Sequence, residues 1–297
     1  MKTDSITQLC AWSLGVVLLL AAPADAQRIF SPVQQQSYRA SEIYEELEEA
    51  DVVYLGETHD SPEDHKAQLA IIQALYQQQR KKNPTAPPLA IALEMFQRPY
   101  QDILNQYLAG EITEAQLIEQ SEYDDRWGFP WEYYAPILRF AKANQLPVIA
   151  LNTPTEITRK VARQGLESLS AQERRYIPPA SEICTDNVDY RQRTQEIFEQ
   201  HQVGGHGNSA DFEKFFLALV LWDETMAEAI AQFMQTNPDY QVVVLAGQSH
   251  IAYGDGIPSR VERRINNPNL TQRSILLGAS EELQVEKKAI ADFLWQH

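Results

Sequence analysis

Two histidines stand three positions after a glycine, in Gly56-Glu57-Thr58-His59 and in Gly247-Gln248-Ser249-His250. Imidazole titrates near neutral pH without outside help, so it serves as a general acid, a general base or a metal ligand. A third residue draws notice because of what precedes it. Glu94 directly follows the apolar run Leu89-Ala90-Ile91-Ala92-Leu93. A carboxylate buried there must be paired, hydrogen-bonded or bound to a cation, since even a neutral polar group left unpartnered costs roughly 2–7 kcal/mol. Glu57 sits between the first glycine and its histidine, placed either to bond the turn amides or to act as a base. Asp60 reads as a helix cap.

The elements that position these residues are legible as short apolar runs alternating with helical stretches. Val52–Leu55, Leu89–Leu93, Pro147–Leu151, Val242–Ala246 and Ser274–Leu277 read as buried strands, and Ala291–Trp295 as a sixth. Helix signals lie between them. Ser61-Pro62-Glu63-Asp64 opens one helix and Arg80-Lys81-Lys82-Asn83-Pro84 closes it; Glu132–Asn144, Asp211–Gln235 and Pro258–Ile265 supply others. The expected fold is therefore α/β: a mostly parallel central sheet of five or six strands, helices on both faces, and a polar helical insertion over about 155–207. In such a sheet ligands bind beyond the carboxyl ends of the strands. Four strand ends deliver Glu57 and His59, Glu94, Asn152, and His250 to that edge. The glycines are expected to permit tight turns with positive φ and a close approach of the ligand. His59 and His250 are expected within ~10 Å of each other, with Glu94 beside them, because neighbouring strands lie ~4.8 Å apart.

Composition bounds the partners. The chain carries 25 basic against 41 acidic residues, a net charge of −16, and is 44% hydrophobic. A full core is affordable, and general nucleic-acid binding is disfavoured because phosphate neutralisation needs a basic face. Residues 1–26 read as a signal peptide: Lys2, the apolar stretch Cys10–Ala22, then Ala24-Asp25-Ala26 before the expected mature terminus at Gln27. The apolar stretch is short for a membrane span, which needs about 20 residues. The expected location is thus exported, periplasmic or envelope-associated. Residues 27–38 read as a polar leader and 39–297 as one α/β domain. With Cys10 removed, Cys184 is the remaining thiol, and an incidental or structural role is expected.

Three other clusters stand out. Arg126-Trp127-Gly128-Phe129-Pro130-Trp131-Glu132-Tyr133-Tyr134 could wall a flat apolar ligand or seal the edge of the sheet, and sealing is favoured because aromatics dominate packing. Leu221-Trp222-Asp223-Glu224-Thr225-Met226-Ala227 puts two acids in an apolar helix, with Asp223 placed to orient a site histidine. Asn152 is expected in the same supporting role. His201 and His206 flank a glycine-rich stretch and read as a solvent loop rather than a metal site.

Gly56–His59, Leu93-Glu94-Met95-Phe96, Trp222–Ala227, Gly247–His250 and Tyr253-Gly254-Asp255-Gly256-Ile257-Pro258-Ser259-Arg260 together resemble the ChaN-like haem-binding family, part of a superfamily with the Tiki and TraB proteins and the erythromycin esterases. The resemblance runs over about 40–295. It implies an α/β fold, haem binding linked to dimerisation, and a role in haem or iron uptake at the bacterial envelope. Family members are often lipoproteins, whereas this chain lacks the lipid-attachment cysteine. The leading expectation is an exported haem-binding protein, with His59, His250 or Tyr253 as axial ligand and Arg260 or Arg263 meeting the propionates. A homodimer and envelope transport components are the expected partners. Some relatives are metal-dependent hydrolases that use the two histidines and a strand-end glutamate. The alternative is therefore a Zn, Mn or Co site at His59, Glu94 and His250 with Glu57 as general base. A non-catalytic envelope adaptor is the third reading.

Overall fold

The computed structural model describes residues 28–82, 89–203, 211–279 and 288–297. The elements in chain order are β1 (Arg28–Ser31), β2 (Gln36–Tyr38), α1 (Ala40–Glu48), β3 (Val52–Glu57), α2 (Pro62–Lys82), β4 (Ala90–Gln97), α3 (Gln101–Ala109), α4 (Glu114–Gln120) and α5 (Tyr123–Arg126). They continue with α6 (Trp131–Ala143), β5 (Val148–Asn152), α7 (Thr155–Gln164), α8 (Val188–Val203), α9 (Phe212–Thr236), β6 (Val242–Gly247), α10 (Ile257–Ile265), β7 (Gln272–Leu277) and β8 (Phe293–Gln296). The strands form one sheet of eight in the order β2-β1-β8-β7-β3-β6-β4-β5.

From β8 to β5 every neighbouring pair is parallel, and β1 and β2 add antiparallel strands at one edge. The sheet is thus larger than the five or six strands expected, because residues 28–38 are not a free leader. Ile29 is fully buried and pairs with Trp295. The run of glutamines hides this in the composition, since only one face of an edge strand needs apolar residues. The opposite edge is closed differently. Gln101 donates its side-chain amide to Val148 O (2.8 Å) and accepts from Ala150 N (2.7 Å), giving β5 the partner it would otherwise seek in another chain.

Alternation along the strands decides which face each site residue joins. Val53 and Leu55 of β3, with Ile91 and Leu93 of β4, pack with Ile71, Ile72 and Leu75 of α2 and Tyr134 and Leu138 of α6. Val52, Tyr54, Ala90 and Ala92 pack on the other side with Met226 and Ile230 of α9 and Val261 of α10. Continuing each period of two, Glu57 falls on the α2–α6 side and Glu94 on the α9 side. The carboxyl edge therefore receives acids from both faces.

The loop from β3 to α2 is held at several points. Ser61 Oγ accepts from Asp64 N (3.3 Å) and donates to Asp64 Oδ1 (2.9 Å), as a capping serine should. Asp64 is fully buried; it also accepts from Thr58 N (2.8 Å) and from His297 Nε2 (2.6 Å). The insertion is helical: α7, short 3-10 turns and α8, with Ile157, Val161, Leu169 and Ile177 packed on Ala218 and Leu221 of α9. The signal-like segment 1–26 and His206 lie outside the described residues, and His201 falls within α8.

Candidate functional site

Beyond the carboxyl ends of β3, β4 and β6, two histidines approach one glutamate from opposite faces of the sheet. On the α2–α6 side, His59 Nδ1 donates to Glu57 Oε1 at 2.8 Å. Glu57 is 2% exposed and is further bound by Tyr134 Oη (2.5 Å, to Oε1) and Gln68 Nε2 (2.6 Å, to Oε2). On the α9 side, His250 Nδ1 donates to Asp223 Oδ1 at 2.6 Å, and Tyr190 Oη donates to Asp223 Oδ2 at 2.5 Å. Each histidine thus heads a tyrosine–carboxylate–imidazole chain, and the carboxylate on Nδ1 leaves Nε2 to face the other way, toward Gly247 in His59 and toward Glu94 in His250.

Glu94 lies between them. Its Oε2 accepts from Gly247 N at 2.7 Å, and its Oε1 lies 3.5 Å from His250 Nε2. A Cβ added at Gly247 would stand 2.9 Å from His59 Nε2 and 3.0 Å from its Cε1, so the His59 ring rests on the bare backbone of this glycine. Here the sequence reading of the glycines needs correcting. Gly247 has φ −57° and Gly56 is absent from the positive-φ positions. Neither serves a left-handed turn; both are required by space. At Gly56 an added Cβ would meet Leu276 Cδ2 at 2.6 Å.

The charges follow from these contacts. Burial pulls His250 down, but the charges of Glu94 and Asp223 and the Asp223 hydrogen bond outweigh it and raise the ring to about 9. Burial also lowers His59, and there the Glu57 hydrogen bond and the charges of Glu94 and Glu57 win, leaving it above the ordinary imidazole value. Glu57 is pushed up by burial, yet its bonds from His59, Tyr134 and Gln68 and the charge of His65 hold it below the usual carboxylate range.

The aromatic stretch does more than seal the sheet. Trp127 stands edge-on to His59 with centroids 4.8 Å apart, and Phe129 lies at 5.0 Å. Trp131 instead joins the core beside Tyr123, and Tyr133 stacks on His65 at 4.8 Å. Tyr134 belongs to the aromatic stretch noted in the sequence, but its bond to Glu57 is not foretold there, and the sequence reading leaves His65, Gln68 and Tyr190 out of the site. One signal was available: His65, Gln68 and Ile72 share a helical face, so two polar residues occupy a buried stripe.

Other expected residues lie elsewhere. Tyr253 has φ 59°, carries Arg193 over its ring at 4.3 Å, and lines a cavity of about 310 Å³ with Tyr54, Asp255 and Lys288, walled by none of His59, Glu94 and His250. Arg260, expected at a propionate, is 3% exposed and bonds Gly256 O (2.8 Å) and Asp255 O, with Glu224 Oε1 3.3 Å from its Nε. Arg263 donates to Glu224 Oε2 at 2.6 Å and to Glu182 O at 3.1 Å. Both cations are consumed by the acid next to Asp223. Asn152 Oδ1 accepts from its neighbour Thr153 N at 2.8 Å, so it shapes its own turn.

The three-ligand Zn, Mn or Co site expected at His59, Glu94 and His250 is not formed: among the described residues no group of three His, Cys, Asp or Glu side chains is arranged to hold a metal ion. The cause is local. His250 has carboxylates at both ring nitrogens, and Glu94 spends one oxygen on a backbone amide. Among the described residues no helix is long and apolar enough to cross a membrane.

Comparison with known proteins agrees with this architecture. The model of the family described as haem-binding uptake, Tiki superfamily, ChaN matches residues 43–261. The solved structure of ChaN from Campylobacter jejuni, titled for cofacial haem binding, superposes with a TM-score of 0.66 at 19% identity, covering 92% of this chain and 97% of that one. An erythromycin esterase, EreC, aligns at 14% identity with a TM-score of 0.43, over 84% of this chain and 76% of its own. The chloroplastic protein RETICULATA-RELATED 5 of Arabidopsis thaliana is 30% identical over 265 residues, 85% of this chain. The chain spans 35% of the length of that relative.

Proposed function

This chain belongs to the haem-binding uptake family of the Tiki superfamily, and from that premise we propose that it binds haem at the carboxyl edge of its sheet, with His59 as the axial ligand. The observation that carries the assignment is the setting of one ring. His59 has a carboxylate on Nδ1, so Nε2 is the nitrogen left for a ligand, and the flat side chains of Trp127 and Phe129 stand against the same imidazole. Haem requires such an apolar wall beside an axial nitrogen. His250 is 6% exposed against two acids, which suits it to hold charge rather than iron. When bound, haem supplies a redox-active, ligand-accepting iron; the protein supplies a fixed nitrogen, the aromatic wall and a protonated second histidine. Because His59 titrates above its ordinary value, iron has to displace a proton there, and affinity should rise with pH through that titration.

We place the protein outside the cytoplasm, on the signal-like character of residues 1–26, and read it as a carrier in haem or iron handling at the envelope. A haem-linked homodimer and transport components are the partners this reading calls for. Titrating the protein with haemin tests the core of it. A Soret shift is expected, with affinity falling at least about 10-fold in His59→Ala. It should fall similarly in Gly247→Ala, whose Cβ would occupy the space of the His59 ring. No Soret shift, or a shift that both variants leave unchanged, removes the reading.

A second reading is favoured by the paired chains themselves. An imidazolium at His250 and a carboxylate-backed imidazole at His59, both beside Glu94, form a general acid and a general base without a metal. Hydrolysis of an activated ester such as p-nitrophenyl acetate should then exceed the buffer rate and follow the His59 titration. A rate that His59→Ala leaves untouched eliminates it.

A further inference from the structure

His65 and Gln68 reach the carboxylate partner and the backbone carbonyl of His59 without touching its ring. Gln68 Nε2 donates to Glu57 Oε2 at 2.6 Å, leaving Oε1 as the oxygen that meets His59 Nδ1. Gln68 is itself set by His65, whose Nδ1 lies 3.1 Å from Gln68 Oε1 and 3.7 Å from Glu57 Oε2. His65 Nε2 reaches back to the backbone carbonyl of His59 at 3.0 Å. The His65 ring cannot swing away, because it is 4% exposed, stacked on Tyr133 (4.8 Å, 21°) and edged by Tyr134 (4.7 Å). Tyr134 in turn donates to Glu57 Oε1. Side chain and backbone of His59 are therefore tied to one buried frame on the first two turns of α2.

We propose that His65 and Gln68 are the positioning residues of His59: through Glu57 and the His59 carbonyl they fix its ring as the Nδ1–H tautomer, so that Nε2 is the reactive nitrogen. The reasoning is steric as much as electrostatic. A glutamate free to rotate could offer either oxygen, and a free loop could turn Nε2 toward Glu57 instead. With Oε2 occupied by an amide donor and the loop carbonyl bonded, Nδ1 is the nitrogen within reach. This deepens the proposed haem reading, for which it names the residues that aim the axial nitrogen, but the tautomer belongs to the free protein and does not need haem.

The experiment is the ring ¹⁵N spectrum of uniformly labelled protein, recorded above the His59 titration, for wild type, Gln68→Met and His65→Phe. The methionine keeps the volume of Gln68, and the phenylalanine keeps the stack on Tyr133, so both variants retain the packing while losing the polar contacts. Thermal melts report that they fold. The wild type should show His59 as Nδ1–H alone; both variants should show a mixture of tautomers. Where wild type binds haemin, the variants should bind about 10- to 100-fold more weakly. An unmixed Nδ1–H tautomer in folded variants overturns the proposal, even if haemin binds. Mixed tautomers in a protein that ignores haemin uphold the positioning and remove the haem reading instead. If Gln68→Met fails to fold, His65→Phe decides alone.

Discussion

Replacing Glu224 with alanine is expected to destabilise the protein by about 3–5 kcal/mol, because removing one partner of a buried ion pair strands the other. Glu224 is fully buried and serves three arginines: Arg263 Nη2 and Arg264 Nη2 donate to Oε2 at 2.6 and 2.8 Å, and Arg260 Nε lies 3.3 Å from Oε1. It also accepts from Cys184 N at 3.1 Å, which ties the insertion to α9. Arg260 is 3% exposed, so its charge would remain in the core with two backbone carbonyls and, as the one remaining acid beside it among the described residues, Asp223 at 4.0 Å. For a domain of this size each kcal/mol moves the melting temperature by roughly 2–4 °C, which puts the expected drop near ~10 °C. Glu63→Ala is the control, since Lys66 and Glu63 have 77% and 55% of their side chains exposed and such pairs contribute at most about 1 kcal/mol. A melting temperature for Glu224→Ala within about 2 °C of wild type would show that the arginines find other partners.

The same acid explains why part of the site was illegible in the sequence. Arg260 and Arg263 read as free cations because α10 looks basic, with three arginines against the single acid Glu262. Their partner is one residue from Asp223 on a different helix, and adjacent positions on a helix point about 100° apart, so one acid faces His250 and the other faces α10. Strands were easier. Val52–Leu55 and Val242–Ala246 are β-branched-rich and buried on both faces, a pattern a parallel sheet imposes locally. Strand ends alone point His59, Glu94 and His250 to one edge, but they do not foretell that the two histidines reach it from opposite faces of the sheet, which separates them into two different settings. What the strand ends do not encode is support from helices. His65, Gln68 and Tyr190 look like ordinary helix residues until their partners are known. β1 was hidden for a related reason, since a strand of four residues lying next to the edge strand β2 carries little apolar signal.

His250 is expected to make the protein less stable as the pH rises from about 7 to 10. Its folded value, raised to about 9, lies above the 6.5 of an unperturbed imidazole. The proton is therefore bound more tightly in the folded chain, and the associated stability is complete below about pH 6.5 and lost as pH climbs through about 9. A shift of this size corresponds to ~3 kcal/mol, at 1.36 kcal/mol per unit. Urea midpoints taken between pH 6 and 9.5 should fall accordingly, and Asp223→Asn should flatten the slope while lowering stability at pH 6. Glu57 governs the acid side with the opposite sign. Held below its unfolded value, it adds stability above about pH 4.5 that is lost as pH falls through its folded value. An imidazole signal for His250 titrating near 6.5, or constant urea midpoints from pH 7 to 9.5, would overturn the expectation. The consequence for function is a division of labour between two histidines that the sequence presents as equivalent. His250, sealed between Asp223 and Glu94, keeps its proton at neutral pH and neutralises the buried acids. His59, with 28% of its side chain exposed and one acid on Nδ1, is the ring that can give its proton up and offer a lone pair.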